Sequence, residues 1–349
     1  MKKHAHFFNY NVNFSFRIPK TDVCNFCFEN KKLQIESEEF KEHKLLFNSY
    51  TEYKKEILSK QDSLIVEFDF AQNLPVPKLP INEQYYSRLL WLNVFNVHVY
   101  NSKRTINKND KDNSYVLFML EGLAKKGANT VLNFVYNVIM KEFDPRIHKK
   151  IVLLSDGCGG QNKNYLFMQF FLSLSKKLSV SIEHVFPVVG HSFNQCDRNF
   201  GMCSKIVKKT EIIESVEEYV EIIKNRRTPQ FIIVTDSNYK IIDFESCFPD
   251  LSLWQQKEIR ISKQKRIIYY PDNKVDTHFD YKNDSSEHKI LAVDFNKIKK
   301  NISAYRGVPK DKIKDVTSLT RYLKPKNKKL ILQHFKKVGE KLKENKNQK

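Results

Sequence analysis

Three aspartates stand where strand-like apolar runs end, a placement that suits chemistry on phosphates. Asp69 lies in Val66-Glu67-Phe68-Asp69-Phe70. Asp156 follows the run Ile151–Leu154, and Asp197 lies a short polar loop beyond a further apolar run. Carboxylates are hard oxygen ligands, and two-metal phosphoryl chemistry needs several of them converging so that ions sit about 3.5–4 Å apart. Glu67 shares a face with Asp69 by the period of two and is the rival ligand. Each acid also has an ordinary structural reading. Asp69 could cap a turn, Asp156 could belong to a strand-to-helix turn in which Asn162 or Asn164 caps the helix, and Asp197 could be an N-cap. The loop from Ser155 to Asn164 holds three of the nine glycines, so its backbone could approach a phosphate closely. His191, in Gly190-His191-Ser192, could act as acid, base or phosphate contact, or be a surface histidine.

A second constellation precedes these. Cys24-Asn25-Phe26-Cys27 is half a zinc site, which His43 downstream or His4 and His6 upstream could complete. The alternative is a pair of partly buried thiols. Cys158, Cys196, Cys203 and Cys247 are scattered and are read as packing.

The elements that must carry these residues follow from pattern. Residues 31–60 read as a charged helix or hairpin with an apolar stripe through Leu33, Phe40, Leu45, Phe47 and Ile57. Strands are expected from Leu64, over Leu89–Tyr100, Tyr115–Leu120 and Ile151–Leu154, and over Ile182–Val189, with a Pro-containing loop at Leu74. Helices are expected over Ala128–Glu142, Asn164–Lys177 and Asp197–Lys209. The order β-β-β-α-β-α-β-α is that of an RNase H-like fold: an α/β architecture with a mixed five-stranded sheet flanked by helices. Beyond residue 210 the pattern is looser. It offers an amphipathic helix, candidate strands at Phe231–Thr235 and Lys265–Tyr270, a polar loop over Asn273–Glu287, helical pieces over 308–336 and a frayed tail over Lys336–Lys349. Three regions are expected: 1–60, a helical segment bearing the cysteine pair; 61–225, the RNase H-like core; and 226–349, a basic α+β extension.

Composition bounds the partners. Of 349 residues, 41 % are hydrophobic and 13 % aromatic, ample for a packed core. The formal charge of +20 attracts polyanions, DNA foremost, although codon bias in an AT-rich genome would also enrich lysine. Lys125, Lys126, Arg226, Arg227, Lys263, Lys265, Arg266 and the cluster Lys324–Lys329 could track a DNA backbone. Tyr85, Tyr86, Tyr269 and Tyr270 could stack on bases, and a solvated face or core packing is the plainer reading for each. No bilayer-spanning run and no signal peptide is apparent, and six cysteines do not make a disulfide framework, so no membrane partner and a reducing compartment, nucleus or cytoplasm, are expected.

The blocks FDFAQNLPVPKL, YYSRLLWLNVFNVH, LLSDGCGGQNKN and GHSFNQCDRNFG, in this order, resemble a family of eukaryotic transposon-derived proteins with a DDE-type, RNase H-like integrase core. The likeness extends upstream to NFSFRIPKTDVCNFC and downstream to Lys312, Asp315, Leu319 and Pro325. It implies a transposase-like nuclease and strand transferase. Asp69, Asp156 and Asp197 would be the acidic triad holding two magnesium or manganese ions, with His191 beside them as a catalytic group and homo-oligomers as an expected state. Two departures stand out. Glu121 matches an early family glutamate, but Thr130 stands where a later one is usual, and the upstream sequence that would find DNA ends is not in this chain. The other expectation is therefore a catalytically silent, transposon-derived nucleic-acid-binding protein.

Overall fold

The computed structural model describes residues 23–34, 36–102, 112–192, 194–225, 231–235, 241–248, 259–282, 285–298 and 306–347. His4, His6, Arg226 and Arg227 lie outside them. A mixed sheet of ten strands organises the chain. Its central strands are β1 (Ser63–Phe70), β3 (Leu90–Tyr100), β4 (Asn113–Leu120), β5 (Lys150–Ser155) and β6 (Ser181–Val185), and the short β2 (Leu74–Val76) pairs with β3. Their spatial order is β4-β3-β1-β5-β6. The first three pair antiparallel; β5 and β6 add in parallel. These strands are buried along most of their length because helices cover both faces.

Alternation along β1 sorts its neighbours. Leu64, Val66 and Phe68 join the main core with α4 (Ala128–Glu142) and α5 (Tyr165–Leu178), where Phe68 faces Phe167 and Phe95 faces Phe134. Ile65, Glu67 and Asp69 point the other way, toward α2 (Glu38–Ser59) and α6 (Gln195–Lys209). One face of β1 is therefore packing and the other is polar.

The amino-terminal segment differs from the expected single stripe. Gln34 takes a left-handed conformation (φ 56°), which ends α1 (Asn25–Leu33), and Ser37 caps α2 by accepting from the Phe40 N–H. The buried face of α2 is Phe40, Tyr50 and Ile57, while Leu33 and Leu45 stay exposed. Turning the chain at residue 34 releases α2 to lie against the sheet, where Lys54 pairs with the buried Glu67 at 2.5 Å.

The region beyond residue 225 adds to the same sheet at both edges. The strand β7 (Ile232–Thr235) runs parallel to β4, and β8 (Arg266–Tyr269) pairs with β6, followed by β9 (Lys274–His278) and β10 (Ser286–Lys289). The polar stretch expected as a loop is thus two strands, held by backbone pairing that side-chain polarity does not reveal. Between β2 and β3 lies the short helix α3 (Asn82–Tyr86); later come α7 (Val216–Lys224), α8 (Lys310–Leu319) and α9 (Pro325–Asn347), and α9 continues through the segment expected to fray. Lys312 of α8 pairs with Glu121 at 2.7 Å, and Asp315 accepts from Arg88 at 3.0 Å. No helix among the described residues is long and apolar enough to cross a membrane.

Candidate functional site

The parallel register of β1 and β5 sets Phe68 opposite Ser155, so the next residues, Asp69 and Asp156, leave neighbouring strands side by side. Asp197 comes from the first turn of α6. Asn194 ties it in. Its side chain caps α6 by accepting from the Asp197 N–H at 2.6 Å, and its amide donates to the Asp69 carboxylate at 3.0 Å. The N-cap is therefore Asn194 rather than Asp197. The role of Asn194 toward Asp69 was not read from sequence, although its spacing of three before Asp197 carried the capping signal.

The glycine-rich loop divides its asparagines. Asn164 caps α5 by accepting from the Phe167 N–H at 3.1 Å. Asn162 donates to the Asp156 carboxylate, which also accepts from the Cys158 N–H at 3.3 Å. Glu67, the rival of Asp69, is fully engaged elsewhere: it accepts from Lys54, from the Tyr100 hydroxyl and from the Gln195 N–H. Thr130 is buried and donates to the Lys125 carbonyl at 2.7 Å. Glu121 accepts from Lys312 and from the Trp91 N–H, which makes it a dock for α8.

Burial, and then the Asp156 charge, push the Asp69 carboxyl up to about 7, with Asp197 adding to the rise while the Asn194 amide and the Phe70 N–H oppose it. The nearby Lys126 is itself depressed by burial, with Asp69 and Cys158 acting against the shift. The folded state holds the Asp69 proton more tightly than the unfolded chain, whose value is 3.8, so metal-free stability falls as pH rises from about 4 to about 7. Asp69→Asn is expected to stabilise the metal-free protein at pH 8 by about 1–2 kcal/mol, a value reduced for the partial exposure of the carboxyl. Denaturant titrations in chelator at pH 5 and pH 8 measure it; no gain at pH 8 would show that burial and the neighbouring acids do not hold the Asp69 carboxyl up.

A separate cluster assembles at the cysteine pair. The ligand atoms of Cys24, Cys27, His43 and His191 all lie within 4.8 Å of one another, so the cluster could hold a metal ion. Among the described residues it is the one such group, and Asp69, Asp156 and Asp197 are not brought together in one. His191 is thus engaged away from the carboxylates: its Nε2 is 3.4 Å from Cys27 Sγ and 3.0 Å from His43 Nε2, and its ring packs on Phe47. Cys27 and Cys24 lie 3.3 Å and 3.7 Å from His43 Nε2. Burial lowers both histidines and, together with the neighbouring Cys24, raises the Cys27 thiol.

Gly190 makes this approach feasible. Its φ is +78°, and a Cβ there would come within 2.8 Å of Cys24 Cβ. Gly190→Ala is expected to destabilise the protein by about 1–3 kcal/mol through left-handed strain and this clash. Thermal denaturation checks the loss, and an unchanged midpoint would mean that the cysteine pair and this loop are not held together in solution.

Fold and site define an α/β protein with acids at the ends of adjacent parallel strands and a distinct cluster of two cysteines and two histidines. The chain belongs to the family described as Domain of unknown function (DUF7869), whose model matches residues 105–287. That span includes Asp156, His191 and Asp197 and leaves out Asp69, Cys24, Cys27 and His43. No curated protein and no solved structure matches the chain.

Some expected contacts with nucleic acid are ruled out by burial. Arg266 is buried and paired with Glu183 at 2.8 Å, and Tyr269 is fully buried. Tyr85 and Tyr86 are exposed on α3, as are Lys125, Lys263 and the lysines of the 324–329 cluster.

Proposed function

We propose that this chain is a metal-dependent nuclease and strand transferase of the transposase type, acting on DNA phosphodiesters from an RNase H-like core. The observation that carries the reading is the side-by-side exit of Asp69 and Asp156 from parallel strands, with Asp197 joined to them through Asn194. The strand order β4-β3-β1-β5-β6, three antiparallel and two parallel, supports the RNase H-like assignment. An all-carboxylate donor set, in which burial and then the neighbouring acids raise Asp69, fits magnesium or manganese, for which Asp69, Asp156 and Asp197 would be the ligands. When bound, such ions activate an attacking hydroxyl and stabilise the leaving oxygen. The chain's own residues set the geometry: Asn194 and the Phe70 N–H orient Asp69, and Asn162 and the Cys158 N–H orient Asp156.

The second cluster suits structural zinc. A tetrahedron with zinc–sulfur bonds of about 2.3 Å and zinc–nitrogen bonds of about 2.0–2.1 Å has edges of about 3.3–3.8 Å. Four of the six separations among Cys24, Cys27, His43 and His191 run from 3.0 to 3.7 Å, and all lie within 4.8 Å. Four protein ligands leave no open position, which favours a structural over a catalytic role.

The test is nicking of plasmid DNA by purified protein with magnesium, with manganese and with chelator. Cleavage that needs the metal and is lost in Asp156→Asn supports the reading. Binding of DNA without any cleavage favours the silent nucleic-acid-binding alternative, for which Thr130 speaks because the first turn of α4 then supplies no acid.

A further inference from the structure

Two lysines beside the glycine-rich loop are placed as a pair of cations without an anion. Lys163 ends that loop and is only 8 % exposed. Its ammonium donates to the Ser262 carbonyl at 2.8 Å and lies 4.7 Å from the centre of the Phe186 ring. Lys265 is joined to the same phenylalanine through the backbone, since its carbonyl accepts from the Phe186 N–H at 2.9 Å. Phe186 therefore carries one lysine on its ring and the other on its main chain.

Neither ammonium meets a carboxylate among the described residues. The ion pairs of this region are taken by Arg266, Lys150 and Lys274, with Glu183, Asp276 and Glu287 as their acids. Burial, and then repulsion by Lys265, pull Lys163 down to about 8, and burial lowers Lys265 as well. Lys265 also acts on His43, which puts it within electrostatic range of the cysteine–histidine cluster. The Lys265 charge thus acts on both His43 and Lys163.

A buried and a half-buried cation with no counter-charge are costly unless an anion completes them. A small anion would suffice electrostatically, but the surroundings favour a strand of nucleic acid. Gly157, Gly159 and Gly160 are exposed on the same loop, and at Gly160 an added Cβ would meet nothing within 4 Å, so the loop leaves its outer side open to a backbone. The geometry points to Lys163 and Lys265 as a phosphate-binding subsite that seats the nucleic-acid backbone next to Asp156. This rests on the proposed action on DNA and adds which residues hold the strand.

The test is fluorescence anisotropy of a labelled DNA duplex titrated with full-length protein across a range of sodium chloride concentrations. Lys265→Met and Lys163→Met are compared with wild type and with Lys176→Met, which lies exposed near the far end of α5. Each subsite variant is expected to bind about three- to tenfold more weakly near 0.1 M salt and to reduce the slope of log K against log salt by about one. Lys176→Met should change neither. Lys265 is only half buried, so Lys265→Met keeps the test decisive should Lys163→Met fail to fold. Wild-type binding with an unchanged affinity and slope in Lys265→Met would overturn the subsite alone. No binding by wild type even at low salt would overturn the action on DNA itself, and the subsite with it.

Discussion

Asp156→Asn is expected to reduce metal-dependent nicking by about a thousandfold or more, equivalent to about 4 kcal/mol of transition-state stabilisation. The substitution keeps shape and most hydrogen bonding but removes one of the charges that a divalent ion needs. Asn162, which donates to Asp156, would face a neutral acceptor or an amide that can turn toward it, so the loop should keep its fold. Because Asp156 is the first charge acting on Asp69, the variant should also let the Asp69 carboxyl ionise more readily. Activity and stability are therefore expected to move apart: activity lost, metal-free stability at neutral pH kept or increased. Initial nicking rates together with melting curves read both. Equal cleavage by wild type and variant would remove Asp156 from the chemistry.

Stripping the cysteine–histidine cluster should have the largest effect on stability. Its residues come from the start of α1, from α2 and from the loop before α6, and His43 and His191 are 148 residues apart in sequence. Zinc bound there would tie three segments, adding to the packing of Phe26 on Phe40 and of Phe47 on His191, with a binding free energy of about 10 kcal/mol or more in comparable small sites. Cys27→Ser is expected to lower bound zinc from about one ion per chain to almost none, and to cost several kcal/mol of stability locally. Elemental analysis of purified protein and melting curves with and without chelator measure it. A wild-type protein free of zinc, with a midpoint indifferent to chelator, would leave the cluster a packing arrangement. The loop of His191 continues into Asn194 and Asp197, so a loosened cluster should also weaken cleavage without touching the carboxylates.

Much of the frame could be read from sequence. Short apolar runs bounded by polar loops mark β1, β3, β4, β5 and β6, and the helical spacing of Val131, Phe134, Val135, Val138 and Ile139 marks α4. Such patterns are local, and each buried strand or helix face must carry its own apolar residues. The strands β9 and β10 escaped because their sequences, Lys274–His278 and Ser286–Lys289, are polar and their pairing is made by backbone groups. The break at Gln34 escaped because a left-handed residue other than glycine leaves little trace in composition.

The acids show the same division. That Asp69 and Asp156 end strands followed from the residues around them. That they are neighbours depends on β5 pairing in parallel with β1, a long-range choice made by the whole sheet. His191 is the clearest case. Its sequence neighbours set it in a polar loop leading to Asp197, where an acid–base role beside the carboxylates was a natural expectation. Its ring lies instead against Cys27 and His43, because Gly190 lets the loop pass close to Cys24. Local sequence determined which residues could do chemistry and which elements would present them. The tertiary structure alone decided their company, since only folding brings Cys24, His43 and His191 within reach of one another and sets Lys163 beside Lys265.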